Sequence, residues 1–157
     1  MPAIVRPAIK EDHPTLIPIG LETQDLHANA HPEIFMQGMS GVPFEYFSQL
    51  LERKDTMAFV AELEGRIVGY VLMKVLDAPQ QELLVARREA FIEDIAILKA
   101  HQGHGIGRQL FQACVEWAKA QGAVGLDLRV WDFNKNAIAF YERLGMKTVS
   151  RIMSLPL

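Results

Sequence analysis

The sequence predicts a single α+β domain, and three observations carry that prediction. Two strand-like apolar runs, residues 57–63 and 66–76, meet across Glu64-Gly65 as in a tight hairpin. Further along, the pattern switches from strand period over 91–98 to helix period over 106–120 and back to strand period after Gly122. No repeat, low-complexity tract or linker divides the 157 residues, so one domain over 1–157 is expected, long enough to bury a sizeable core.

Taken in order, residues 3–6 read as a short first strand. Glu11-Asp12 with a proline close behind opens a helix that runs to about residue 28, and a second short helix covers 43–53. Between them, 27–42 holds two glycines, a proline and the exposed-looking apolar residues Ile34, Phe35 and Met36, a loop of the kind that shapes a substrate site. In the second hairpin strand, Ile67, Val68, Tyr70, Val71, Leu72 and Met73 are nearly continuous, which suits a central strand covered on both faces. Residues 79–82 make the next turn and 91–98 the next strand. After Gly122, Val124, Leu126, Leu128 and Val130 alternate with Gly125, Asp127, Arg129 and Trp131 as a strand. A last helix over 134–144 is stopped by Gly145, and 146–155 is expected to close the sheet.

Sixteen basic and nineteen acidic residues are scattered to a net charge of -3, without the basic block that a nucleic-acid partner would require. The one local positive tilt is Lys99, His101, His104 and Arg108 around a glycine-rich turn. Cys114 is the single cysteine, so an internal disulfide is excluded; it falls on the apolar stripe of the 106–120 helix as a core residue. No apolar run reaches the roughly twenty residues of a bilayer span and no leader is recognisable, so a cytoplasmic protein without a membrane partner is expected.

The glycine-rich turn is Gln102-Gly103-His104-Gly105-Ile106-Gly107, between a strand and a helix. Glycines let successive N–H groups converge, and a helix start adds unpaired donors and the positive end of its dipole, so an anion such as a pyrophosphate fits there. The dinucleotide spacing G-x-G-x-x-G fails in both registers, at Arg108 and at Leu110, and no Gly-Lys-Ser or Gly-Lys-Thr supplies a Walker loop. His27 and His31 are four apart, but H-E-x-x-H is missing and Pro32 follows directly; no metal is expected, and a loop pair near an acceptor site is the better reading.

The remaining pattern, Q-x-x-G-x-G, resembles the coenzyme A pyrophosphate loop of the GNAT superfamily of N-acetyltransferases. Two further stretches carry the likeness: Ile92-Glu93-Asp94-Ile95-Ala96-Ile97 is similar to the family's fourth strand, and 134–145 is similar to its N-x-x-A-x-x-F-Y-x-x-x-G segment. Gly145-Met146 stands where the family usually has Gly-Phe, and Gln102 where it often has arginine. The resemblance implies a mixed, mostly antiparallel sheet of about six to seven strands, splayed between strands 4 and 5, with helices on both faces. It implies acetyl-CoA as donor, its pantetheine arm against main-chain groups of Ile95, Ala96 and Ile97. Gln102, Gly103, His104, Gly105, Ile106, Gly107 and Arg108 would receive the pyrophosphate, and Asn134 and Tyr141 would also touch the coenzyme. Dimerisation is common among such proteins.

Attack of an amine on a thioester needs an acceptor for the amine's proton, a polarised carbonyl and a donor for the leaving thiolate. Glu93 and Asp94 are the carboxylates in reach, Glu93 being the candidate base; successive strand residues face opposite ways, so only one can face the cleft unless a bulge intervenes. The resemblance makes Tyr141 the general acid, while Asn134 reads as the cap of its helix. Trp131 and Phe133 suit either the core or an apolar acceptor pocket. The activity expected is direct acetyl transfer to an amine in a ternary complex. An acyl-CoA-binding sensor without turnover and transfer of another acyl group stay open, and the acceptor, small molecule or peptide, is not specified.

Overall fold

The computed structural model describes residues 2–78 and 81–157. Its strands are β1 (Ile4–Pro7), β2 (Thr56–Leu63), β3 (Arg66–Asp77), β4 (Arg88–Ile97) and β5 (Leu126–Leu128). Its helices are α1 (His13–Ala30), α2 (Phe44–Glu52), α3 (Ile106–Ala120) and α4 (Lys135–Arg143), with single 3-10 turns at Lys10–Asp12 and Lys99–His101. They form one mixed sheet in the order β1-β2-β3-β4-β5, antiparallel except that β5 runs parallel to β4. Pro79 and Gln80, in the turn expected at 79–82, lie outside the described residues.

The β2–β3 hairpin turns on Glu64 (φ 51°) and Gly65 (φ 77°), the left-handed pair whose twist matches that of the flanking strands. Arg6 ties this hairpin to the first helix. Its guanidinium donates to Asp12 at 2.8 and 2.9 Å and to Glu62 at 3.0 Å, while the Ile9 N–H donates to Asp12 at 2.8 Å. Those bonds favour the carboxylate and hold Asp12 below the usual range despite its burial.

β3 is buried on both faces, as its continuous apolar run predicts. Tyr70 and Leu72 join Ala58, Val60 and Ala96 beneath α1 and α2, where Leu16, Ile19, Phe47 and Leu50 fill the layer. Val71, Met73 and Val75 join Ala90 and Ile92 beneath α3, packed by Leu110, Phe111, Cys114 and Ala118. Cys114 is fully buried, and burial pushes its thiol up to about 12, consistent with a packing residue.

The sheet departs from expectation at one end. Five strands are present among the described residues, not the expected six to seven, because 146–155 does not close the sheet. That segment forms neither helix nor strand and makes no backbone hydrogen bond beyond Met146 among the described residues. An alternating pattern specifies a strand only where an edge receives it, and here none does. The strand expected after Gly122 also shrinks to three residues, since its pairing stops where β4 bulges.

Candidate active site

β4 is interrupted on each side, and the two interruptions build the site. On the β3 side, Leu72 pairs with Asp94 and Met73 with Ile92, leaving Glu93 as the extra residue of a β-bulge. The bulge brings both carboxylates to the α1–α2 face instead of opposite faces. Glu93 Oε1 lies 2.7 Å from Lys74 Nζ, and the Tyr46 hydroxyl of α2 donates to its other oxygen. Asp94 sits deeper and accepts the Tyr70 hydroxyl at 2.6 Å. Burial pushes the Asp94 carboxyl above the usual carboxylate range, opposed by the Tyr70 hydrogen bond and by nearby His27. The phenols of Tyr70 and Tyr46 are held protonated, chiefly by burial and also by the carboxylates they bond.

On the other side, Ala90, Phe91 and Ile92 pair with Leu126, Asp127 and Leu128, and the ladder ends there. The β5-facing side of residues 93–97 therefore has no strand partner. Ile95 and Ile97 turn their side chains to the α3 core and Ala96 to the opposite one, leaving the main chain as what the gap offers.

Beyond β4 the chain enters the glycine loop. Gln102 donates from its amide to the Ile97 carbonyl at 3.0 Å and His104 Nδ1 lies 2.9 Å from the Gln102 carbonyl, so both side chains brace the loop. Gly103 (φ 79°) and Gly105 (φ 82°) adopt the left-handed conformation that glycine takes without a steric penalty. Gly105 is the N-cap of α3, and no side chain caps that end. The first-turn N–H groups of Ile106, Gly107 and Arg108 are thus left for an external acceptor. Gly107 has a second reason to be glycine. A Cβ there would lie 2.9 Å from Phe140 Cζ and 3.2 Å from Ile97 Cδ1, so α4 rests directly on the start of α3.

That contact positions Tyr141, the residue after Phe140. Tyr141 is half-buried; burial, with the negative charge of Asp94 adding to it, pushes its phenol up to about 12. Asn134 caps α4, its Oδ1 accepting the Ala137 N–H at 3.1 Å. At the far end of the gap, rings from two segments interlock: His27 and Phe35 from the first, Phe133 and Trp131 from the second. Phe35 lies 5.1 Å from Trp131 and His27 5.6 Å from Phe133, while His31 lies 5.5 Å from Trp131 and 5.4 Å from Phe133. The expected 27–42 loop begins later than its composition suggests, because α1 continues to Ala30 and carries His27 with it.

The structure brings Glu93, Asp94, Tyr141 and the 102–108 loop to one gap. The sequence reading missed Tyr70, Lys74 and Tyr46. Tyr70 had been absorbed into an apolar run, and only its hydroxyl, the lone polar tip there, signalled a buried partner.

The family model described as Acetyltransferase (GNAT) family matches residues 21–146. The chain belongs to the GNAT family. Among curated GNAT relatives, an uncharacterised N-acetyltransferase of Methanocaldococcus jannaschii is 35% identical over 102 residues, 65% of this chain and 44% of that protein. An N-alpha-acetyltransferase of Sulfurisphaera tokodaii is 31% identical over 112 residues, 68% of this chain and 66% of that protein. The chain therefore spans about half to two thirds of the length of these relatives. Among solved structures, a mutant of the BH1408 protein of Bacillus halodurans superposes with TM-score 0.94 at 26% identity, over 98% of this chain and 99% of that one. An aminoglycoside acetyltransferase from an uncultured soil metagenomic sample, in complex with trehalose, shares the fold at TM-score 0.71 and 23% identity, over 99% of this chain and 95% of that one.

A hollow of about 800 Å³ runs between β2 and α3 past Met57, Phe59, Arg108, Gln112 and Trp117. No described helix is long and apolar enough to cross a membrane.

Proposed function

We propose that this chain, as one catalytic unit over 1–157, transfers the acetyl group of acetyl-CoA directly to an amine in a ternary complex. The observation that carries the reading is the end of β4–β5 pairing at Ile92 and Leu128, which leaves a strand edge leading straight to the uncapped start of α3. An extended, amide-bearing arm can add to such an edge by main-chain hydrogen bonds, here from Ile95, Ala96 and Ile97. Its pyrophosphate then meets the N–H groups of the 103–108 loop, with Arg108 and His104 adding positive or polar contacts and Asn134 lying at the coenzyme's other side. Gln102 serves by holding the loop closed. Acetyl-CoA supplies the activated acyl group; the chain supplies orientation, polarisation and proton transfer.

A primary amine with a pKa near ~10 arrives protonated at neutral pH, so a carboxylate, directly or through water, must take its proton. Glu93 and Asp94 share that task as a pair on one face. Asp94 is the inner member, with its affinity for a proton raised by burial and further by the charge of Glu93, which Lys74 pairs with. The main-chain N–H near Ile95 polarises the carbonyl. Tyr141, fully protonated at neutral pH, donates to the departing sulfur.

The acceptor is an amine held at the aromatic end of the gap. The reported relatives and structures include an N-alpha-acetyltransferase and an aminoglycoside acetyltransferase, so peptides with a free α-amine and aminoglycosides belong in a panel with polyamines and simple alkylamines. Release of free thiol from acetyl-CoA, coupled to acetylation of one panel amine, is the expected result. Tight coenzyme binding with no thiol release for any amine would leave a sensor without turnover in its place, and faster release from a longer acyl-CoA would reassign the donor.

A further inference from the structure

Gly20 stands inside α1, where glycine weakens a helix relative to alanine. Its surroundings supply the reason. A Cβ there would lie 2.9 Å from the Tyr70 hydroxyl oxygen and 3.2 Å from Ser40 Oγ, the first closer than side-chain carbons approach, so the space is reserved for the phenol tip. Tyr70 is fully buried in β3, and that hydroxyl is the one polar atom of its side chain. It donates to Asp94 Oδ2 at 2.6 Å, from β3 to β4. The backbone at Gly41 comes up to the same oxygen, a Cβ there falling 3.8 Å from it.

The two oxygens of Asp94 are therefore unlike. Oδ2 is taken by the Tyr70 hydroxyl. Oδ1 accepts no side-chain hydrogen bond, and among the described residues no buried side-chain oxygen goes without a partner, so Oδ1 is the oxygen open to solvent. A buried phenol walled in by α1 holds the carboxyl by one oxygen and presents the other, the support a reacting group needs from the residues behind it. Tyr70 keeps its own proton, because burial and the adjacent carboxylate both disfavour the phenolate.

We propose that Tyr70, seated against Gly20, is a positioning residue for acetyl transfer: it holds Asp94 by Oδ2 so that Oδ1 takes the proton of the incoming amine. The inference rests on the acetyl-transfer reading and names, within it, the atom that acts. An ammonium N–H bond breaks, an O–H bond forms at Oδ1, and the pair left on nitrogen becomes the nucleophile that attacks the acetyl carbon. Asp94 is faced by Glu93 beside it, Tyr70 from β3, His27 from α1, Tyr46 from α2 and Tyr141 from α4. Removing the Tyr70 hydroxyl leaves the other four in place and deletes a bond that favours the carboxylate, so Asp94 should hold its proton to higher pH.

Tyr70→Phe keeps the buried ring and deletes that hydroxyl alone. In acetyl transfer to a panel amine, the acidic limb of its kcat profile is expected to move up by roughly one pH unit, so the rate below the limb falls about tenfold while the KM for acetyl-CoA holds. The carbon-13 resonance of the Asp94 carboxyl, titrated without substrate, should move its midpoint the same way. Gly20→Ala should reproduce both changes by displacing the hydroxyl, and should add nothing to Tyr70→Phe, where the atom it would strike is gone. A parent protein that acetylates no amine would overturn the transfer reading and this role with it. With a parent that turns over, an unmoved limb or midpoint in Tyr70→Phe would overturn the role of Tyr70 alone. So would a rate that falls equally at every pH, the mark of a merely structural loss, or additive effects of the two substitutions.

Discussion

The four antiparallel strands with α1–α3 and the segment from β5 onward are two different kinds of structure. In the first, strands are eight to twelve residues long at the centre and both faces are sealed by helices. In the second, a three-residue strand, a nine-residue helix and a segment of neither kind bury nothing completely. The active gap lies on the border between them. The packed side carries Asp94, Glu93 and the 102–108 loop; the less buried side carries Tyr141, Trp131 and Phe133. Under the proposed transfer, both carboxylates and the glycine loop belong to the packed region, while Tyr141 belongs to the less buried one.

The largest effects should come from removing the reacting groups, one from each side of the border. Tyr141→Phe should lower kcat by roughly 10²–10⁴-fold with acetyl-CoA affinity nearly unchanged. Asp94→Asn should lower kcat/KM by about 10²-fold or more and erase the acidic limb of its pH profile, a limb lying above the ordinary carboxylate range because burial raises the Asp94 pKa. Glu93→Gln should cost less. Equal losses for Glu93→Gln and Asp94→Asn would remove the distinction between inner and outer carboxylate. Stability should move the other way for Asp94. A carboxyl whose folded pKa is raised stabilises fully below its unfolded value and loses that contribution as pH rises toward the folded one, so the asparagine variant should be at least as stable as its parent at pH 7.

Core substitutions measure the contrast directly. Leu110→Ala, at a fully buried position under β3, should cost about 2–5 kcal/mol in chemical denaturation, whereas Leu128→Ala on half-exposed β5 should cost less than ~1.5 kcal/mol. Equal costs would show that the second region is packed as tightly as the first. Asp12→Ala should cost about 1–3 kcal/mol by removing its bonds to Arg6 and to the Ile9 N–H, Glu62 keeping its own bond to Arg6. Because the folded Asp12 pKa is depressed, its stabilisation is present above the unfolded value near ~3.9 and disappears as pH falls through the folded one, so parent and variant should converge in acid. Gly107→Ala falls in a similar range. Its Cβ would press on Phe140, and a cost of about 1–3 kcal/mol with weakened coenzyme binding is expected as α4 shifts.

The same division decides what the sequence could reveal. The hairpin was legible at Glu64-Gly65, the central strand at Ile67–Met73 and α3 at its glycine loop, because local chemistry and burial there agree. The bulge at Glu93 was not legible, since period-two reasoning assigns adjacent residues to opposite faces until a register shift is seen. Nor was the fate of 146–155. It was expected to close the sheet, yet among the described residues it joins no strand. Among site residues, the glycine loop and Asn134 were readable from turn and cap chemistry. Tyr70 and Tyr46 were hidden because their roles depend on side chains 24 and 47 residues away.

The central claim is that the donor occupies the gap between β4 and β5 and the start of α3. Titration of acetyl-CoA, followed by backbone amide chemical shifts, tests it most directly. The largest changes are predicted at Ile95–Ile97 and Gly103–Arg108, with β1 and β2 unmoved. Changes centred instead on the hollow by Phe59 and Gln112, or no saturable change at all, would contradict the account.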